Sequence, residues 1–278
     1  VTPTPGPDLG FVRNRRLALV TGASSGLGRE LARLLVVERD MTVLATGRDR
    51  AKLETLRDSL PAGSVAILAG DLADPAFRGE LWGWAEGFGD VDLLINNAGL
   101  GNYADFADQD FAAIRAILEV NLIALIDLTQ RALKPMRLRG TGQILQISST
   151  VGFVGMPYAA VYVATKHAVN GLVKTLRYEL QGTGVQVRAA CPGRIRTDFR
   201  ARALGPGRTD HARLAGEPVE RVARGIIRKL DGRSGFLSPT FSAWGIVQLA
   251  HWLPGPFEWF MSRWARGHFA REIGRDPG

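Results

Sequence analysis

The stretch from Arg16 to Gly28, RLALVTGASSGLG, constrains the fold more than any other part of this chain. A short apolar run ends in a glycine-rich turn, and a helical pattern follows through Val37. Gly22 permits the sharp turn, Gly26 lets the backbone approach a pyrophosphate, and Gly28 lets the helix sit tightly on the strand. The helix that starts there points its first N–H groups and positive dipole end at an anion. Ordinary strand–helix turns carry similar glycines, but this one follows an apolar strand and opens a helix, which favours a dinucleotide. The alternation continues down the chain. Strands are predicted at 41–47, 65–72, 91–99, 143–149 and 185–193, and helices at 76–87, 108–138 and 159–181. The strands are apolar nearly throughout, which means burial on both faces. That pattern predicts an α/β fold: a doubly wound parallel sheet with helices on both sides.

The end of the second strand bears on cofactor choice. NAD sites usually place an Asp or Glu there for the ribose hydroxyls. This chain has Gly47 followed by Arg48, whose guanidinium suits a 2′-phosphate, so NADP(H) is preferred over NAD(H). The other reading of Arg48 is a solvated loop residue.

Ser149, Tyr162 and Lys166 form the strongest constellation. Tyr162 and Lys166 stand four apart in a helical segment and share one face. With four tyrosines in the chain, and few lysines, about 0.07 chance Tyr-x-x-x-Lys matches are expected. Ketone reduction needs a hydride on carbon and a proton on oxygen, and free tyrosine holds its proton up to a pKa of about 10. A lysine ammonium roughly 4–5 Å away lowers that value by about two to three, into the range where general acid–base catalysis works best. Ser149 then donates a hydrogen bond to the substrate oxygen. Phe153, Met156 and Tyr158, in the following loop, are candidates for an apolar substrate wall beside Ser149 and Tyr162.

Taken together, these motifs resemble the short-chain dehydrogenase/reductase family over residues 14–238. TGASSGLG is similar to its cofactor loop, Asn96-Asn97-Ala98-Gly99 to its NNAG motif, and Ser149, Tyr162 and Lys166 stand at its catalytic spacing. The resemblance implies a Rossmann fold with strand order 3-2-1-4-5-6-7. It implies that Asn121, inside EVNL, completes a catalytic tetrad by holding a water beside Lys166. It also implies cofactor contacts at Gly22, Ser24, Ser25, Gly26, Leu27 and Gly28, and at Asp71 and Leu72 beside the adenine. Asn97, Ala98 and Gly99 join them, with Tyr162 and Lys166, and Pro192, Gly193, Ile195 and Thr197 at the nicotinamide end.

Composition narrows the remaining classes. One cysteine, Cys191, excludes an intrachain disulfide and a Cys-based zinc site, and the four histidines do not cluster, so no metal is expected. Cys191 itself reads as a packed strand-end residue. A reducing, cytoplasmic location is the default. The net charge of +8 is uneven: residues 188–233 hold twelve Arg or Lys against five Asp or Glu. An anionic acyl-carrier or coenzyme A thioester would explain this, although a solvated arginine-rich helix is preferred. No basic helix is interleaved with aromatics, so nucleic acid is not an expected partner.

Both ends depart from the core. Residues 1–12 are Pro/Gly-rich and read as a flexible leader without a signal-peptide pattern. The catalytic domain is expected to span 13–238, and 239–278 to form a helical extension with four of the six tryptophans. Between Arg233 and Glu258 there is no charged residue, but Pro239, Pro254 and Pro256 argue against a transmembrane span. An amphipathic pair of helices, 242–253 and 257–271, is expected to hinge at LPGP and to serve as a pocket lid, a subunit interface or a membrane-contacting surface. The leading reading is an NADP(H)-dependent carbonyl reductase for a lipophilic ketone or secondary alcohol, working as a homodimer or homotetramer on a small-molecule substrate. A 3-oxoacyl thioester reductase is the second enzymatic reading, and a catalytically silent NADP(H)-binding regulator the non-enzymatic one.

Overall fold

A computed structural model describes residues 15–205 and 216–272. The leader expected at 1–12 lies outside them, as do Arg208 and Arg213 of the basic stretch. Seven parallel strands form one sheet in the order β3-β2-β1-β4-β5-β6-β7. They are β1 (Leu17–Thr21), β2 (Thr42–Gly47), β3 (Val65–Ala69), β4 (Val91–Asn96), β5 (Gly142–Ile147), β6 (Val185–Ala190) and β7 (Phe236–Leu237). Every residue of β1 is buried, as are the first five of β2, so apolar runs replace the alternation of a half-exposed sheet. The flanking helices are α1 (Gly26–Arg39), α2 (Arg50–Asp58), α3 (Pro75–Glu86), α4 (Phe111–Leu118), α5 (Ala124–Arg139), α6 (Ala160–Glu179) and α7 (Val219–Lys229). This is the Rossmann architecture in the expected strand order. The chain groups into two compact units, one drawn from Val1–Ala98, Ile123–Ile147 and Val173–Arg188, the other from Gly99–Leu122, Ser148–Leu172 and Ala189–Gly278.

Two expectations need correction. The single helix predicted over 108–138 is broken: α4 ends at Leu118, Glu119–Ile123 forms a π-helical turn, and α5 begins at Ala124. An inserted residue disrupts the regular backbone ladder there, and side-chain periodicity does not register it. At the other end, α8 (Phe241–Trp252) and α9 (Pro254–Glu272) are separated by Leu253 alone. Pro254 and Pro256 sit in the first turn of α9, where a missing N–H costs nothing, so LPGP starts the second helix instead of forming a longer hinge.

In the first unit, a buried cation sets the loop after β3. Arg78 is 4% exposed and donates to Asp127 (2.7 Å) and to the carbonyl of Leu72 (2.7 Å). Arg131 donates to the other carboxylate oxygen of Asp127 at 2.6 Å. Burial opposes ionisation of Asp127, but the hydrogen bonds from Arg78 and Arg131 outweigh it and hold the carboxyl below its ordinary value. Because the folded carboxyl gives up its proton more readily than the unfolded one, this stabilisation is present above the ordinary Asp range. It is lost as pH falls through the lower folded value. Arg78→Met is expected to destabilise the fold by about 2 kcal/mol at neutral pH, since it leaves Asp127 to Arg131 alone and removes the donor to the Leu72 carbonyl. Urea titration checks this, and a variant deficit that fails to shrink towards low pH would refute the ion-pair account.

Candidate active site

The first unit holds the nucleotide end. Thr21 closes β1, and its hydroxyl accepts from the N–H groups of Asn97 (2.9 Å) and Ala98 (3.0 Å). The Asn97 amide donates to the carbonyls of Thr21 (2.9 Å) and Gly22 (3.3 Å). Asn97 therefore spends its side chain joining the ends of β1 and β4, and its family motif serves to shape the loop. Gly22 adopts φ +65°, and a Cβ there would stand 2.9 Å from the Ala98 backbone. A Cβ on Gly28 would stand 2.4 Å from the Gly22 carbonyl oxygen. Ser24 lies against Gly47, Leu27 in the first turn of α1 is buried, and Ser25 makes no side-chain cap on that helix. The first N–H groups of α1 thus keep their affinity for an anion. Arg48 follows β2 and is exposed. Leu72 is buried, whereas Asp71 is exposed and accepts from the N–H of Ala73 at 3.0 Å. A turn with glycines at both crowded points, opening a helix, in a unit that also exposes an arginine directly after β2, fits a dinucleotide phosphate.

The second unit brings the four predicted catalytic residues together. Ser149 follows β5 and precedes a 3-10 turn, Thr150–Gly152. Its hydroxyl donates to the Pro192 carbonyl at 3.3 Å, and the Tyr162 phenol stands within its reach. One turn along α6, the Lys166 ammonium lies 5.5 Å from the Tyr162 ring centroid. Asn121 occupies the π-helical turn and is fully buried. Its amide clamps the Leu100 backbone, donating to the carbonyl (2.9 Å) and accepting from the N–H (2.7 Å), and reaches Thr165 Oγ1 at 3.4 Å. The side chain is consumed by this clamp, so any water it positions for Lys166 must be held through backbone.

The protonation behaviour departs from the expectation that Lys166 tunes Tyr162 downward. Burial pushes the Tyr162 phenol well above its ordinary value, the neighbouring Tyr103 adds to this, and the hydrogen bond from Ser149 opposes it only in part. Burial lowers Lys166 to about 8, against an opposing influence from Cys191. Burial is the largest influence on both groups, and a four-residue spacing along a helix does not report it. Cys191 is itself a buried thiol pushed up to about 12, chiefly by burial, which matches a packed strand-end residue.

The remaining predicted residues divide. Met156 packs with Tyr162 and Val163 on a cluster of Tyr103, Ala159 and Ala203, and Phe199 lies 5.8 Å from the Tyr162 ring. Phe153 instead stacks edge-on against Phe236, with centroids 5.3 Å apart. Tyr158 adopts φ +60°, unusual for a bulky residue, and accepts from Ala104 N–H at 3.0 Å. Gly193 approaches Ala243, Ile195 bridges Glu217, and Thr197 accepts from Phe199 N–H at 3.4 Å.

Sequence reasoning missed the framework beneath Ser149. Ser148 donates to Asn170 (2.7 Å), and Asn170 donates to the Gly152 carbonyl (2.9 Å), fastening the 3-10 turn to α6. A signal existed: Asn170 follows Lys166 by four, as Lys166 follows Tyr162, on one helix face. Tyr103 carried no such signal.

A Ser–Tyr–Lys set with a buried lysine, in a chain that also carries a glycine-rich turn after the first strand of a seven-stranded parallel sheet, is a specific combination. The model of the short chain dehydrogenase family matches residues 16–204. The chain belongs to this family. A D-beta-hydroxybutyrate dehydrogenase of Rhizobium meliloti is 31% identical over 218 residues, covering 77% of this chain and 83% of that protein. The ketoacyl reductase HetN of Nostoc is 36% identical over 183 residues, 65% of this chain and 63% of that protein. A short-chain dehydrogenase from Sphingobium yanoikuyae, solved in complex with NADPH, superposes with a TM-score of 0.76 at 28% identity, covering 89% of this chain and 95% of that one. This short-chain dehydrogenase is thus an oxidoreductase that interconverts CH–OH and C=O with a nicotinamide cofactor.

Proposed function

We propose that the chain is an NADPH-dependent carbonyl reductase acting on a lipophilic ketone, with residues 13–238 as its catalytic domain and 239–278 as an added helical segment. One observation carries the substrate class: Tyr162 packs among Tyr103, Met156, Ala159, Val163, Phe199 and Ala203, with the Arg200 guanidinium 4.5 Å from the centre of the Tyr103 ring. Apolar walls around one convergent polar pair suit a carbonyl on a hydrophobic body. When bound, the nicotinamide supplies the hydride to the carbonyl carbon. Tyr162 gives its proton to the carbonyl oxygen, and Ser149 holds that oxygen by a hydrogen bond. Lys166 stabilises the phenolate left behind, and the backbone at Asn121 and Leu100 orders the far side of Lys166. The Gly22–Gly28 turn and the start of α1 hold the pyrophosphate, and Arg48 clamps the 2′-phosphate.

A 3-oxoacyl thioester reductase remains the second reading, supported by the Nostoc relative's name and by the exposed Arg194 and Arg196 after β6. Reduction of a graded series of aliphatic and aryl ketones, followed by NADPH absorbance, tests the first reading against an acyl thioester. Turnover of the thioester alone would replace it. In the same assay Arg48→Ala is expected to raise the KM for NADPH about ten- to a hundredfold while leaving that for NADH nearly unchanged. Equal use of both cofactors by the unaltered enzyme would refute the role of Arg48.

A further inference from the structure

The α8–α9 pair has no counterpart in the chemistry above, and its surface is unusual. Phe241, Trp244, Leu249, Trp252, Trp259 and Phe260 are between 47% and 81% exposed. Around α8 only Ala243 is buried, and none of its residues is charged. Exposed aromatic and aliphatic side chains this close together normally mark a surface that something covers.

Charge bears on what covers it. Arg221, Arg224 and Arg228 form an exposed row along α7, spaced by three and four so that they share one face. That helix meets the root of the pair: Gly225 abuts the Pro239 backbone, and Lys229 donates to the Ser238 carbonyl at 2.5 Å. Within α9, the Arg263 guanidinium lies 5.4 Å from the centre of the Trp259 ring. Tryptophans with an apolar body and a polar edge, bordered by arginines, match the boundary between acyl chains and anionic headgroups. No helix among the described residues is long and apolar enough to cross a membrane.

We infer that α8–α9 docks this enzyme onto an anionic bilayer, with the apolar pair in the headgroup–acyl boundary and the α7 arginines over the lipid charges. The attachment is rooted next to the reacting groups, because α8 packs against the 3-10 turn that follows Ser149 and Ala243 approaches Gly193.

The full chain should sediment with phosphatidylcholine vesicles that contain phosphatidylglycerol, and about tenfold more weakly with phosphatidylcholine alone. Lipids brominated along the acyl chain should quench its tryptophan emission. Trp252→Glu with Trp259→Glu should weaken sedimentation at least about tenfold, and Arg221→Gln with Arg224→Gln and Arg228→Gln should remove the preference for the anionic lipid. These side chains are exposed, so nucleotide binding should persist and report an intact fold. Absence of sedimentation and quenching with the unaltered chain would overturn the inference. So would a dimer that the tryptophan substitutions split while vesicle binding stays the same, since a second copy would then be what covers the pair. Neither readout uses turnover, so failure here is separable from failure of the carbonyl reductase reading.

Discussion

Replacing Tyr162 with phenylalanine is expected to lower kcat for ketone reduction by about 10²–10⁴-fold, the usual contribution of a positioned general acid. Nucleotide affinity should stay within about twofold, because the ring keeps its packing on Tyr103 and Met156 and loses only the hydroxyl. Stopped assays with NADPH and fluorescence titration of the nucleotide measure the two quantities. Retained turnover would remove Tyr162 from the mechanism. The pH profile of the unaltered enzyme gives a second check. Burial keeps the Tyr162 proton in place across the working range, so the donor is present throughout. Lys166, lowered to about 8 chiefly by burial, is charged below that pH and neutral above it. Reduction should therefore fall as pH rises through about 8, when the charge that stabilises the phenolate disappears. A flat profile across that window would mean that Lys166 does not act through its charge.

Gly28→Ala is expected to have the second largest effect. The new Cβ would meet the Gly22 carbonyl oxygen at 2.4 Å and the Asn97 amide nitrogen at 2.3 Å, and the first of these is backbone. Relief requires moving α1 away from β1, or moving the Gly22 turn, and either displaces the phosphate cradle. Overpacking of this kind costs about 1–3 kcal/mol, which lowers the melting temperature by several degrees. The nucleotide should be held at least about tenfold more weakly, because the helix N-terminus no longer faces the place where the pyrophosphate lies. Thermal melts with and without NADPH separate the two consequences. A normal nucleotide-induced rise in melting temperature would contradict the cradle assignment.

Much of this was legible from local pattern. Apolar strands alternating with helices predicted the sheet, and the Gly22–Gly28 spacing located the turn on which α1 opens. The four-residue step from Tyr162 to Lys166 placed both on one face of α6. The same step reaches Asn170, and reading it one turn further would have found the residue that ties Gly152 to that helix.

What was not legible has a common cause. Periodicity reports which residues share a face, but it does not report how deeply a group is buried or what lies opposite. Arg78 and Asp127 are 49 residues apart, and nothing local to either announces the pair. Asn121 read as one position in a continuous helix, yet the π-helical turn around it gives its amide to the Leu100 backbone. The extension from 239 onwards was readable as a pair of tryptophan-rich helices, but only the folded chain left Trp244, Trp252 and Trp259 uncovered. Tyr162 shows the division most clearly. The sequence by itself determined that a tyrosine, a lysine and a serine meet at the end of a buried strand. Tertiary structure decided that Tyr103, Met156 and Phe199 pack against Tyr162 and that Lys166 is buried, so desolvation sets the protonation of Tyr162 and Lys166 more than their mutual charge does.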